Sequence, residues 1–97
     1  MQQVSPENLK ERIKNGDDIL LIDIREQWER DIFNICGIHI SMGELMSKTD
    51  DIPKDKDVVL YCEKGIRSVI AIQRLEASGF HNLINLEGGM KAWKEAL

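Results

Sequence analysis

A chain of 97 residues, 42% apolar and 31% charged, has room for one sheet and its helical cover, so a single domain over residues 1–97 is expected. A formal net charge of −4 argues against a nucleic-acid partner. No apolar run approaches bilayer-spanning length, and residues 1–7 carry neither the basic start nor the apolar core of a secretory signal, so a cytoplasmic protein without membrane association is expected.

Ser5-Pro6-Glu7 opens a helix: Ser5 offers a capping oxygen, Pro6 suits the first helical position and Glu7 favours the dipole. Leu9 and Ile13 share one face, and Asn15-Gly16 ends it. Ile19-Leu20-Leu21-Ile22 is continuously apolar, as a strand buried on both faces should be, and it ends at Asp23. Residues 26–31 suit a short helix carrying Trp28, and Ile38-His39-Ile40 a short strand. A helical turn over 42–46 and a polar turn over 50–56 lead to a further strand over 58–61. Cys62 and a short loop follow, then a helix over 69–77 with Gly79 as its stop signal. Leu83-Ile84-Asn85-Leu86 is the last strand, and Gly88-Gly89 turns into a final helix over 90–96 that carries Trp93. Strands alternating with helices predict a parallel α/β sheet, whose ligands sit at the carboxyl ends of the strands. Asp23 and Cys62 both fall there.

The segment Cys62-Glu63-Lys64-Gly65-Ile66-Arg67-Ser68 carries the chemistry. A strand, a short loop and a helix start turn backbone N–H groups into a concavity suited to an anion. A cysteine at its mouth has its thiolate favoured by those donors, with Lys64 and Arg67 acting in the same direction. Such a thiolate is a nucleophile for an electrophile that carries negative charge. The only other cysteine is Cys36. It reads as a packed small residue beside Gly37, with a disulfide to Cys62 or a role in resolving a persulfide as alternatives. His39 and His81 are isolated and no Cys-x-x-Cys exists, so no metal site is expected. Trp28 and Trp93 read as core or rim aromatics, and Gly88-Gly89 as a point of positive φ or close backbone approach.

Four segments, in order from Leu21 to Trp93, resemble the rhodanese family. Leu21-Ile22-Asp23-Ile24-Arg25 is similar to its strand followed by Asp-x-Arg. The Cys62 loop resembles Cys-x-x-Gly-x-Arg-Ser, Gly79-Phe80-His81-Asn82-Leu83 its approach to the last strand, and residues 86–93 its closing Leu-x-Gly-Gly-x-x-x-Trp. The family commonly has Gly-His-Ile-Pro-Gly-Ala before the third strand; here Asn34 stands in place of the His and Cys36 in place of the Pro. That variant, with Met42-Gly43-Glu44-Leu45, resembles rhodanese domains attached to the adenylating enzymes of molybdopterin and thiamine synthesis.

The resemblance implies a three-layer α/β/α fold with a five-stranded parallel sheet. It implies a sulfurtransferase in which Cys62 takes a sulfane sulfur from a donor such as thiosulfate and passes it to cyanide, a thiol or a sulfur-carrier protein. No cofactor is required, and an adenylating enzyme joins the carrier protein as a candidate partner. Glu63, Gly65, Ile66 and Ser68 complete the active-site loop, whose N–H groups hold the persulfide. Lys64 and Arg67 are candidate substrate-binding residues; solvent exposure is the alternative for Lys64, and a pairing with Glu44 or Asp23 for Arg67. Glu63 opposes an anionic donor if it points into the mouth. Arg25 is either a substrate contact or half of a structural pair with Asp23, and the paired role is preferred for Asp23. One rival is a phosphatase or arsenate reductase of the related Cys-x5-Arg type, whose loop is one residue longer; here four residues separate Cys62 from Arg67. The other is a non-catalytic interaction module, a class that usually loses the cysteine.

Overall fold

The computed structural model describes residues 1–96; Leu97, the end of the expected domain, lies outside them. The chain forms β1 (Gln2–Val4), α1 (Pro6–Lys14), β2 (Ile19–Asp23), α2 (Gln27–Ile32), β3 (Ile38–His39), β4 (Asp57–Tyr61), α3 (Arg67–Ala77), β5 (Leu83–Leu86) and α4 (Gly89–Glu95). Two 3-10 turns, Leu45–Ser47 and Thr49–Asp51, fill the β3–β4 connection where one helical turn and a polar segment are expected. The five strands are parallel in the order β1-β5-β4-β2-β3. No described helix is long and apolar enough to cross a membrane.

Side chains alternate along each strand, which sorts the core into two layers. Ile22, Val58, Leu60 and Leu83 face Ala71, Ile72 and Leu75 of α3, with Leu45, Ile52 and Phe80 from the connections. Val59, Tyr61, Ile84 and Leu86 face Leu9 of α1 and Met90 of α4, with Trp93 packed at the margin. The sheet is thus covered on both sides, which is why its central strands read as unbroken apolar runs. Local signals place the helix ends. Ser5 Oγ accepts the Asn8 N–H at 3.1 Å, and Pro6 opens α1 as expected.

The fifth strand is β1, which the sequence pattern does not announce. Gln2 and Gln3 are exposed and only Val4 is half-buried, so no alternation betrays it. Its ladder is made with β5, at the far end of the chain.

Candidate active site

β4 delivers Cys62 to its carboxyl end, and α3 begins at Arg67, two residues earlier than the apolar pattern suggests. The early start turns the Ser68 N–H back toward the sulfur. Cys62 Sγ accepts the Gly65 N–H at 3.1 Å and the Ser68 N–H at 3.4 Å, and lies 3.3 Å from Ser68 Oγ. Cys62 and Ser68 are both buried. The thiol therefore sits at the floor of a nest, where negative charge on sulfur meets fixed dipoles.

The loop takes this shape because α4 holds it from behind. The Met90 and Lys91 N–H groups, in the first turn of α4, donate to the Cys62 and Glu63 carbonyls, both at 2.9 Å. With those carbonyls pulled outward, the following N–H groups are free to face the sulfur. The contact is too close for side chains. A Cβ on Gly89 would lie 2.4 Å from the Cys62 carbonyl oxygen, and one on Gly65, which sits at φ +84°, would press on the Gly88 nitrogen at 3.0 Å. The Gly-Gly pair is thus part of the site.

Above the sulfur opens a pocket of about 370 Å³ lined by Glu29, Cys62, Glu63, Lys64, Ile66 and Arg67. Lys64 is exposed and makes no ion pair among the described residues. Arg67 is held in a bidentate pair with Glu29, at 2.9 and 2.7 Å. Neither Glu44 nor Asp23 is its partner. The pair pushes the Glu29 carboxyl below its usual range and raises the Arg67 guanidinium. Two of five guanidinium N–H donors are committed, and three are left for a ligand. Glu29 carries little signal in the sequence pattern, because its partner is 38 residues away. Its position just after Asp-x-Arg, in the first turn of a short helix, is the only local hint.

Arg25 lies elsewhere. It is buried, and its guanidinium binds Asp23 through Nε and Nη2, both at 3.0 Å, Glu63 at 3.2 Å, and the Phe33 carbonyl. It is absent from the lining of the Cys62 pocket and lines a neighbouring one with Trp28, Ile32 and Lys94. The geometry is that of the structural pair, one of the two roles open from the sequence. Glu63 is turned toward Arg25 and Lys94, at 3.2 and 3.8 Å, which offsets its charge at the mouth. His39 binds the Arg25 carbonyl, so it too is spent on this corner.

Tyr61, on the opposite face of β4 from Cys62, has a buried hydroxyl without a hydrogen-bond partner among the described residues. Burial, then the Asp23 carboxylate, push the phenol up to about 12. The unfolded chain ionises near ~10, so native stability is present below that pH and is lost as pH rises toward ~12. We expect Tyr61→Phe to change stability by less than about 1 kcal/mol at neutral pH. Between pH ~10 and ~12 it should lose on the order of 2 kcal/mol less than the wild type. Urea unfolding at both ends of the range measures this. Equal losses in the two proteins would contradict the assignment.

Cys36 is exposed, not packed, and adopts φ +65° with its N–H donated to Asn34 Oδ1 at 2.9 Å. The adjacent Gly37 lies against the backbone of Leu21, which is level with Val59, three residues short of Cys62 and two strands from β3. At ~3.3 Å per residue and ~4.8 Å per strand the two cysteines are on the order of 14 Å apart. A disulfide needs Cα atoms within ~7 Å, so the two cannot pair within one native chain.

Comparison with known proteins agrees with this geometry. Residues 5–96 match the model of the rhodanese-like domain. A sulfurtransferase of Allochromatium vinosum is 35% identical over 96% of this chain and 88% of its own. The "Probable adenylyltransferase/sulfurtransferase MoeZ" of Mycobacterium tuberculosis is 33% identical over 97% of this chain, which spans 25% of that longer protein. Among solved structures, a rhodanese-related protein from Thermoplasma volcanium superimposes with a TM-score of 0.88 at 30% identity, over 99% of this chain and 93% of that one. The family match, the parallel five-stranded sheet and the cysteine at the end of its central strand converge: the chain belongs to the rhodanese-like domain family.

Proposed function

We propose that this protein is a sulfurtransferase that carries sulfane sulfur as a persulfide on Cys62. The observation that carries the reading is the nest: a buried sulfur with two backbone N–H donors, at the floor of a pocket flanked by Lys64 and Arg67. The Cys62 thiolate attacks the outer sulfur of a donor such as thiosulfate. A Cys62 S–S bond forms, the donor S–S bond breaks, and sulfite leaves with the electron pair. The persulfide anion then gives its terminal sulfur to cyanide, a thiol or a sulfur-carrier protein, and the Cys62 thiolate returns. The thiolate needs no general base.

The four-residue spacing from Cys62 to Arg67 favours this chemistry over phosphoryl transfer, because a tetrahedral oxyanion needs a wider cradle than one sulfur atom. The test is turnover of thiosulfate with cyanide against turnover of an aryl phosphate. Turnover of the phosphate alone would overturn the reading. A macromolecular acceptor is supported by the rim: Trp28, Ile32 and Ile66 are each well over half exposed beside the mouth. A sulfur-carrier protein or an adenylating enzyme is therefore the proposed physiological partner, in keeping with the resemblance to MoeZ.

In this reading Arg67 guides the donor with the guanidinium edge that Glu29 leaves free. Arg67→Ala should lower kcat/KM for thiosulfate by about ten- to a hundredfold, chiefly through KM, as expected for one charge-assisted hydrogen bond. Alkylation of Cys62 by neutral iodoacetamide should change far less, because the backbone donors remain. A parallel fall in both rates would make Arg67 a loop-holding residue instead.

A further inference from the structure

Asn85 is the one polar residue of β5, and it is buried. It shares a sheet face with Leu83, and hence with Cys62 and the packing side of α3. Burying an amide among apolar neighbours is costly unless its hydrogen bonds are made. Two are made here. Ser68 Oγ donates to Asn85 Oδ1, and Asn85 Nδ2 donates to Gln3 Oε1 at 3.4 Å. Ser68 Oγ is also the group 3.3 Å from Cys62 Sγ. A chain of hydrogen bonds thus runs from the buried sulfur through Ser68 and Asn85 to Gln3, an exposed residue on the edge strand.

We propose that Asn85 is a positioning residue for the Cys62 thiolate, acting through Ser68 by a hydrogen-bond chain that reverses direction when the thiol ionises. As long as Cys62 is protonated, the Ser68 O–H is spent on Asn85 Oδ1, and the Ser68 lone pair accepts the S–H. After ionisation that lone pair would face a negative sulfur. The Ser68 hydroxyl must then turn to donate to sulfur, and Asn85 must offer Nδ2 to Ser68 Oγ. Asn85 Oδ1 then accepts from the Gln3 amide, which is free to turn at the surface. An amide can serve both directions because it carries a donor and an acceptor. A carboxylate only accepts, and holds the Ser68 O–H away from the sulfur. The charged groups lining the pocket with Cys62 are Glu29, Glu63, Lys64 and Arg67. None belongs to the chain, and all stay the same in the comparison below.

The inference rests on Cys62 being the nucleophile of the proposed reaction, but its test reads the thiolate directly. Failure of sulfur transfer and failure of the hydrogen-bond chain are therefore separate results. The rate of Cys62 alkylation by iodoacetamide is followed against pH, with Cys36→Ser in every protein because Cys36 is exposed. Asn85→Asp should slow the reaction at neutral pH by about tenfold, by moving the profile upward about one pH unit. With Ser68→Ala already present, the same change should slow it by less than about threefold, since only the charge acting through space remains. Gln3→Glu is a change at an exposed position. It should move the profile in the same direction by about twofold, and only when Ser68 is present. Equal shifts with and without Ser68 would overturn the proposal, as would a Gln3→Glu profile identical to that of the parent. If Asn85→Asp does not fold, the Gln3→Glu comparison decides alone.

Discussion

Cys62→Ser is expected to reduce sulfur transfer to background, because a serine hydroxyl cannot form a persulfide and the one other thiol, Cys36, is far from the site. Cys36→Ser should retain more than about half of the activity. The two residues differ in burial and in hydrogen-bond donors to the sulfur. Cys62 is buried and accepts two backbone N–H groups, whereas Cys36 is exposed in a turn and lies about 14 Å away by strand geometry. Thiosulfate–cyanide turnover of the two variants checks this. Equal loss in both would replace the single-cysteine mechanism with a relay that needs a second chain or a large rearrangement.

The second large effect is expected far from any reacting atom. Gly89→Ala places a methyl group 2.4 Å from the Cys62 carbonyl oxygen and 2.7 Å from that of Glu63. Both contacts are with backbone, so no side chain can swing aside. Gly89 also has φ +62°, a conformation that costs an alanine ~1–2 kcal/mol before the clash is counted. Overpacking of this kind adds ~1–3 kcal/mol. The loop must move away from α4, and with it go the two N–H donors to the sulfur. A displacement of about 1 Å at a reacting group is worth about a hundredfold in rate. Gly89→Ala should therefore lose on the order of a hundredfold in kcat/KM and unfold at a lower urea concentration. The loss should greatly exceed that of an alanine at Gly43, where a Cβ meets nothing within 4 Å. Similar activity in the two variants would mean that α4 does not shape the loop.

The Cys62 loop is legible in the sequence because its signals are local. An apolar run, a cysteine, a glycine at a positive φ and a helix start all fall within a dozen residues, and the resemblance to the family added the fifth strand and the layer count. What escaped depends on residues that meet only in the folded chain. β1 is three residues long and mostly exposed, so nothing in its composition separates it from a frayed terminus. Glu29 looks like any acidic residue in a first helical turn until it meets Arg67 across the mouth. Asn85 reads as a polar flaw in an apolar strand, and its tie to Ser68 spans 17 residues. Arg25 is compatible with two roles in the sequence for the same reason. Spacing brings it near Asp23, but only the tertiary structure adds Glu63 and the Phe33 carbonyl to its partners. Cys36 reads as packed because free cysteines usually are, whereas the turn made by Asn34 carries it to the surface.

Sulfur carriage by Cys62 is tested most directly by the intact mass of the protein after incubation with thiosulfate, followed by peptide mapping and by a second measurement after cyanide. The account predicts a gain of one sulfur atom located on the Cys62 peptide, removed completely by cyanide and absent from Cys62→Ser. A protein whose mass does not change while thiosulfate is turned over, or one that carries the added sulfur on Cys36, would contradict it.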